Sequence, residues 1–371
     1  MFRCRQLLRL ARQCRYEAPP MADGCEAARE RIMSSLAGVL FVTGIAPHSL
    51  GEAFLNLYLA NQPGSKVIGA DLYPPPMSIH RPQLSTFAFD LNPLSFPSGY
   101  REFGGRLRAA LETALDRIGE NRIDCLIQSA GVYDFGRFLD HDIGRRTRIL
   151  GVNLLGHMEV LHAVMSLNAG RGVDNATALT HIDIGSFQGL HARAERPVYA
   201  PSKAAGIDFD GALFEGKEVA RSIYFAPAAI DTHMLHFNHW VKKARGSEKL
   251  FARVRDGDRK QYEAIFIRCD EGALSEVATR CGVDVGEATR TLEKYAIARR
   301  DAFNSDLGVL SVETCARMLC SIATKPDGYP SGVYLAYAPN GTGPKLTFAE
   351  FSQLSRLAVL EATGRSTQWF Q

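Results

Sequence analysis

The chain has 371 residues, 46% of them hydrophobic and 22% charged, with a formal net charge of +3. That length suits one large domain or two small ones, and the near balance of charge argues against nucleic acid as a bulk electrostatic partner. The eight cysteines are scattered, without a Cys-x-x-Cys pair or zinc-type spacing, so no metal is expected and a reduced, cytoplasmic setting fits. No apolar run reaches the roughly 18 residues that a membrane span needs.

Residues 1–36 read as an extension outside the fold. Arg3, Arg5, Arg9, Arg12 and Arg15 occur with no acid before Glu17, and Pro19, Pro20 and Gly24 break any helix there. The composition fits a mitochondrial presequence, a disordered tail, or an upstream start codon with translation beginning at Met21 or Met33. A single domain is expected over 37–345. Val39–Val42 reads as a buried strand, and Leu50–Leu59 as the helix after a glycine turn. Val67–Ala70 is a second strand ending at Asp71, and Phe87–Phe89 a third. Phe103, Leu107, Leu111, Ala114 and Ile118 recur at helical spacing. Ile123–Ile127 is a fourth strand, Leu150–Met165 a long apolar helix, Leu179–Ile184 a fifth strand, Ile223–Ala226 a sixth and Gly332–Tyr337 a seventh. Between 233 and 306 the pattern lapses into a charged, helix-prone stretch, read as an insertion over the strand ends. Residues 346–371 read as a helical tail, with an amphipathic stretch over Phe348–Leu360.

Alternation of strands and helices implies an α/β fold: a doubly wound parallel sheet of about seven strands, with ligands bound at the carboxyl ends. The turn Thr43-Gly44-Ile45-Ala46-Pro47-His48-Ser49-Leu50-Gly51 enters a helix, where backbone N–H groups and the helix dipole favour a pyrophosphate. Asp71, 20 residues beyond Gly51, stands where an acid accepts a hydrogen bond from a ribose 2′-hydroxyl and repels a 2′-phosphate. NAD is therefore expected over NADP. Alone, a glycine turn is common to any α/β fold.

Tyr199-Ala200-Pro201-Ser202-Lys203 puts a phenol and an ammonium on one helix face. A phenol with an ordinary pKa near 10 is a poor acid–base group at neutral pH, and a fixed cation nearby favours the phenolate. Such a pair suits an alcohol/carbonyl interconversion. Ser186 ends the fifth strand, placed to hydrogen-bond the substrate oxygen, and Pro201 fits the first helical turn. Tyr-x-x-x-Lys alone is frequent by chance; here several elements coincide in order.

On these residues the chain resembles the short-chain dehydrogenase/reductase family over roughly Gly38 to Asn340, less the insertion. The family's first turn is matched by Thr43-Gly44 through Gly51, and its alanine-glycine motif by Gln128-Ser129-Ala130-Gly131. Its helix asparagine is matched by Asn153, its serine by Ser186, its tyrosine and lysine by Tyr199 and Lys203, and its segment after the sixth strand by Pro227 to Thr232. Asp90-Leu91 stands where family members contact adenine. The resemblance implies a Rossmann-type fold and catalytic roles for Asn153, Ser186, Tyr199 and Lys203. Tyr199 would exchange the proton, Lys203 would favour its phenolate and hold the nicotinamide ribose, and Asn153 would anchor a water. Cofactor contacts are implied at Gly44, Ser49, Leu50, Gly51, Asp71, Asp90, Leu91, Ala130, Gly131, Tyr199, Lys203, Ile230 and Thr232. A homodimer or tetramer and a small alcohol or carbonyl substrate follow from the same likeness.

Three departures stand out. The first turn is one residue longer than the family's, with Ser49 in place of a middle glycine, which predicts crowding at the pyrophosphate. The alanine-glycine motif begins Gln-Ser, and Ala228 replaces a glycine. The altered turn and the insertion support an alternative: a nucleotide-sensing scaffold that binds a partner or DNA through 233–306. His233, His236 and His239 repeat every third residue, a spacing that drifts around a helix and suits a lid better than a metal site. Leu274–Tyr295 resembles a helix-turn-helix, but its acids offset its bases, and DNA binding is not expected.

Overall fold

A computed structural model describes residues 38–46, 49–74, 83–133, 137–190, 196–230, 232, 275, 279, 284–286, 309–325, 328–338 and 343–351. The extension 1–36, the histidines at 233, 236 and 239, and nearly all of the insertion lie outside the described residues.

The strands are β1 (Val39–Thr43), β2 (Lys66–Asp71), β3 (Leu84–Ala88), β4 (Cys125–Gln128), β5 (Thr180–Ile184), β6 (Arg221–Pro227), β9 (Gly332–Tyr337) and β10 (Lys345–Ala349), with a short pair β7 (Ala229–Ile230) and β8 (Val309–Leu310). The helices are α1 (Leu50–Asn61), α2 (Gly99–Ile118), α3 (Ile143–Leu150), α4 (His157–Gly170), α5 (Asn175–Ala178), α6 (Tyr199–Glu215) and α7 (Val312–Thr324). The eight-stranded sheet runs β10-β9-β6-β5-β4-β1-β2-β3, parallel throughout except for β10. This is the doubly wound order, and it reverses between β1 and β4, where a crevice opens at the carboxyl ends.

Both faces are covered. On one, Phe54, Leu55 and Tyr58 of α1 pack with Cys315, Leu319 and Ile322 of α7 over Leu40, Val42, Ile127, Ile182 and Ile223. On the other, Phe103, Leu107 and Leu111 of α2 meet Val160, Val164 and Leu167 of α4 over Val39, Phe41, Ile68 and Leu126. The stripe on α2 is the one that helical spacing predicts. Each such side chain contributes roughly 1.5–3 kcal/mol by leaving water. Helix α1 starts where its cap lies: Ser49 has extended backbone, and its Oγ accepts from the Glu52 N–H.

The structure redraws three elements. The third strand covers Leu84–Ala88 rather than Phe87–Phe89, because pairing with β2 begins at Val67 opposite Leu84. The apolar helix runs from Ile143 to Gly170, interrupted by a π-helical turn at Gly151–Gly156. That helix is long and apolar enough to cross a membrane by length and composition; 56% of the qualifying window is buried in this fold, where it serves as a core helix. The predicted helical tail begins instead as a strand. Lys345–Ala349 pairs antiparallel with β9, and Leu346 and Phe348, two residues apart, pack on the core of α1 and α7. An eighth strand thus occupies residues assigned from sequence to the tail. The chain leaves the main sheet after β6 through β7 and returns in β8 beside it, Ile230 pairing with Leu310.

Candidate active site

The crevice at the sheet reversal is lined by the ends of β1 and β4. The Ser129 N–H donates to the Thr43 carbonyl at 3.2 Å, so the two strand ends are tied together. Gly44 has φ +74°, and a Cβ there would lie 2.3 Å from the Ala130 nitrogen. Only glycine fits that turn. Ser49 does not project into the space before the helix. Its Oγ donates to the Gly44 carbonyl at 2.9 Å and accepts from Glu52 N–H at 3.1 Å, so both roles are used within the turn. Leu50 and Gly51, both buried, open α1, and a Cβ on Gly51 would meet the Gly44 carbonyl. The leading amides and dipole of α1 are chemically suited to a pyrophosphate, so the residues present fit a dinucleotide.

Asp71 ties β2 to this turn. One carboxylate oxygen accepts from Ala46 N–H and the other from Tyr73 N–H, each at 2.9 Å. Burial pushes the Asp71 carboxyl up, and those amides pull it back. Lone pairs remain for a ribose hydroxyl. Asp90, half-buried, accepts from Asn92 N–H, and Leu91 beside it is buried.

Four further candidate residues lie on the segments that follow β4 and β5. Tyr199 and Lys203 lie one turn apart on α6, and Asn153, Ser186, Tyr199 and Lys203 are each at most 8% exposed. Lys203 Nζ donates to the Ile184 carbonyl at 2.8 Å, which places the ammonium at the end of β5 beside Ser186. Ser186 Oγ accepts from Gln188 N–H, leaving its hydroxyl hydrogen available. Asn153 sits in the π-helical turn, a distortion common at functional sites. Its Oδ1 accepts from Val132 N–H, and its Nδ2 donates to the Val132 carbonyl and to Ser202 Oγ. The Tyr199 ring lies 4.7 Å from that of Tyr133, and the Arg196 guanidinium covers Tyr133. Ala130 and Gly131 border the same space; a Cβ on Gly131 would be 3.9 Å from Lys203 Nζ. Ile230 and half-buried Thr232 follow β6, joined by a Thr232 N–H bond to the Ile230 carbonyl.

Sequence reasoning missed the groups beneath this cluster. Tyr224 of β6 is wholly buried; its hydroxyl donates to the Lys203 carbonyl at 2.6 Å and accepts from Ser186 N–H at 3.2 Å. Its ring passes over Gly185, where a Cβ would lie 1.9 Å from Cζ. Burial, together with the Asp183 charge, pushes the Tyr224 phenol well above its usual range, so it serves as a neutral brace. Two buried ion pairs flank it: His157 Nδ1 to Asp183 Oδ1 at 2.9 Å, and His181 Nδ1 to Asp210 Oδ1 at 3.0 Å. Burial opposes ionisation of Asp183, but His157, Lys203 and His181 outweigh it and hold the carboxyl below its ordinary range. For Asp210 burial prevails over His181, and the carboxyl is pushed up to about 6. Burial depresses His181, but Asp210 and Asp183 more than reverse it. A signal existed: Thr180-His181-Ile182-Asp183-Ile184 alternates, whereas a strand covered on both faces ordinarily reads as apolar throughout. Among the described residues, no three His, Cys, Asp or Glu side chains are grouped to hold a metal ion.

Comparison with known proteins bears on the fold that carries this arrangement. Residues 105–240 match the family model described as short chain dehydrogenase. Among solved structures, the ligand-free aldohexose dehydrogenase of Thermoplasma acidophilum is similar at 17% identity and TM-score 0.53, covering 82% of this chain and 92% of that one. The enzyme KRED1-Pglu is similar at 17% identity and TM-score 0.51, covering 78% and 95%. A 4-hydroxyisoleucine dehydrogenase complexed with NADH is similar at 16% identity and TM-score 0.50, covering 80% and 95%. These likenesses carry the fold, and over residues 105–240 the chain is similar to the short-chain dehydrogenases.

Proposed function

We propose that the chain is a nicotinamide-dependent oxidoreductase that interconverts a secondary alcohol and its ketone. The observation that carries this reading is that Tyr199, Lys203, Ser186 and Asn153 are all buried, with Lys203 Nζ fixed on the Ile184 carbonyl at the carboxyl end of β5 and Gly131 bordering both Asn153 and Lys203, in a fold whose first glycine turn suits a dinucleotide. A nicotinamide, when bound, supplies or accepts the hydride. Tyr199 Oη gives its proton to the substrate oxygen during reduction and takes it back during oxidation. The Lys203 ammonium stabilises the phenolate left behind. Ser186 Oγ donates a hydrogen bond to the same oxygen as charge gathers there. Asn153 fixes the Val132 backbone against α6 and so holds the pocket wall. The packing of Tyr133 against Tyr199 limits water at the phenol. Asp71 supports NAD over NADP, since a carboxylate repels a 2′-phosphate.

The test is NADH titration followed by turnover against a panel of ketones. Tyr199→Phe should bind NADH as the wild type does and lose about 10²–10⁴-fold in kcat, the usual weight of a general acid. Absence of NADH binding, or unchanged turnover in Tyr199→Phe, overturns the reading.

A further inference from the structure

The alanine-glycine turn after β4 is gripped on both sides of Gly131. On one side, Asn153 holds the N–H and carbonyl of Val132. On the other, His157 Nε2 lies 2.8 Å from the Ala130 carbonyl. The two gripping residues are four apart, across the π-helical turn and onto the first residue of α4. A carbonyl only accepts, so Nε2 carries a proton. The opposite nitrogen, Nδ1, faces the Asp183 carboxylate at 2.9 Å, and both side chains are 4% exposed. The ring is therefore fixed at both ends. Gly131 is the most entropically free residue type, yet it is held between two anchored neighbours. It also borders the space before Lys203 Nζ.

We propose that His157, oriented by Asp183, is a positioning residue that fixes the Ala130–Gly131 backbone for binding of the nicotinamide cofactor. The proposal rests on the oxidoreductase reading above. Holding the loop in advance removes an ordering cost that binding would otherwise meet. Asp183 does a second task, since the Lys203 charge also helps to hold its carboxyl ionised. A single carboxylate thus orients the clamp and balances the cation in the pocket. An apolar side chain at 157 would leave the Ala130 carbonyl and the Asp183 carboxylate without their partner, and such buried groups are costly.

The experiment compares wild type, His157→Leu and the double variant His157→Gln with Asp183→Asn. The double variant replaces the ion pair by an amide pair that can still donate to the Ala130 carbonyl. NADH affinity is read by fluorescence titration, kcat at saturating NADH, folding by thermal melt, and the mobility of 130–132 by amide hydrogen exchange. For His157→Leu, about tenfold weaker NADH binding is expected, the equivalent of about 1.4 kcal/mol, with kcat at saturation changed much less. Exchange at 130–132 should speed up, and the double variant should recover most of the affinity. Unchanged affinity in a folded His157→Leu overturns the proposal, as does an affinity loss that tracks the thermal melt and is not recovered by the double variant. If the wild type itself does not bind NADH, the oxidoreductase reading fails and cofactor positioning fails with it, whereas faster exchange at 130–132 still reports the clamp alone.

Discussion

Along β5, Ile182 and Ile184 enter the apolar core shared with α1 and α7, whereas His181 and Asp183, at the alternate positions, pair with Asp210 of α6 and His157 of α4. The apolar face is stabilised by burial alone and tolerates changes that keep shape. The polar face depends on partners, because a charge without one is strongly disfavoured away from water. Lys203, one of the residues proposed to act in catalysis, reaches the end of the same strand, its Nζ donating to the Ile184 carbonyl. The buried pairs there cost desolvation but fix the orientation of the groups around Lys203. Even within that face the two acids differ. Asp183 lies among His157, Lys203 and His181 and is held ionised, whereas Asp210, farther along α6, is raised to about 6.

The sharpest way to break this contrast is Asp183→Ala. It strands His157 and Lys203 without their anion and should cost roughly 3–5 kcal/mol in chemical denaturation. A cost near zero would mean that the polar face is held by packing. Ile182→Val, one position away on the other face, should cost about 0.5–1.5 kcal/mol and leave kcat unchanged. A change in kcat as large as that of an Asp183 variant would show that the faces are not separable. The smallest effect is a pH dependence carried by Asp210. Its folded pKa is raised to about 6, so the folded state binds the proton more tightly than the unfolded chain does. Stability from this group falls as pH rises from the ordinary aspartate value near 4 towards about 6. Asp210→Asn should lack that slope. Compared at pH 5 and pH 7, the wild type should lose ~2–4 °C in Tm relative to the variant, about 1 kcal/mol for a domain of this size. An identical slope in both proteins would place the titration elsewhere. Asp183 has the opposite sign: its contribution is present above the ordinary carboxylate range and is lost only as pH falls through its lowered folded value.

The fold was legible because its signals are local and repeated. Val39–Thr43, Lys66–Asp71 and Gly332–Tyr337 are buried strands whose apolar runs stand out, and α2 carries its stripe at helical spacing. The strand at Lys345–Ala349 was not legible, since its short alternation also fits an amphipathic helix until β9 offers an edge. The site divides in the same way. Tyr199, Lys203, Ser186 and Asn153 stand out as candidates from type and order along the chain, and all four are buried in the fold. What Ser49 does was not: a hydroxyl expected at the pyrophosphate turns back to cap α1. His157 and Tyr224 are unremarkable in their own segments; the alternation in β5 marks His181 and Asp183 as unusual but not their partners, and the four partners lie 27, 21, 29 and 26 residues away.

The sequence by itself determined the layered α/β architecture and singled out Asn153, Ser186, Tyr199 and Lys203 as candidates, because hydrophobic period and residue chemistry are properties of neighbours along the chain. Only the tertiary structure decided which face of β5 would hold charge and which carbonyl His157 would grip. Those choices depend on α4 and α6 crossing the same strand end, and pairing across such a distance follows from packing rather than from any local pattern. The pair Tyr199 and Lys203 could be read from five consecutive residues, but the frame that aims them could be read only once the sheet had brought β4, β5 and β6 side by side.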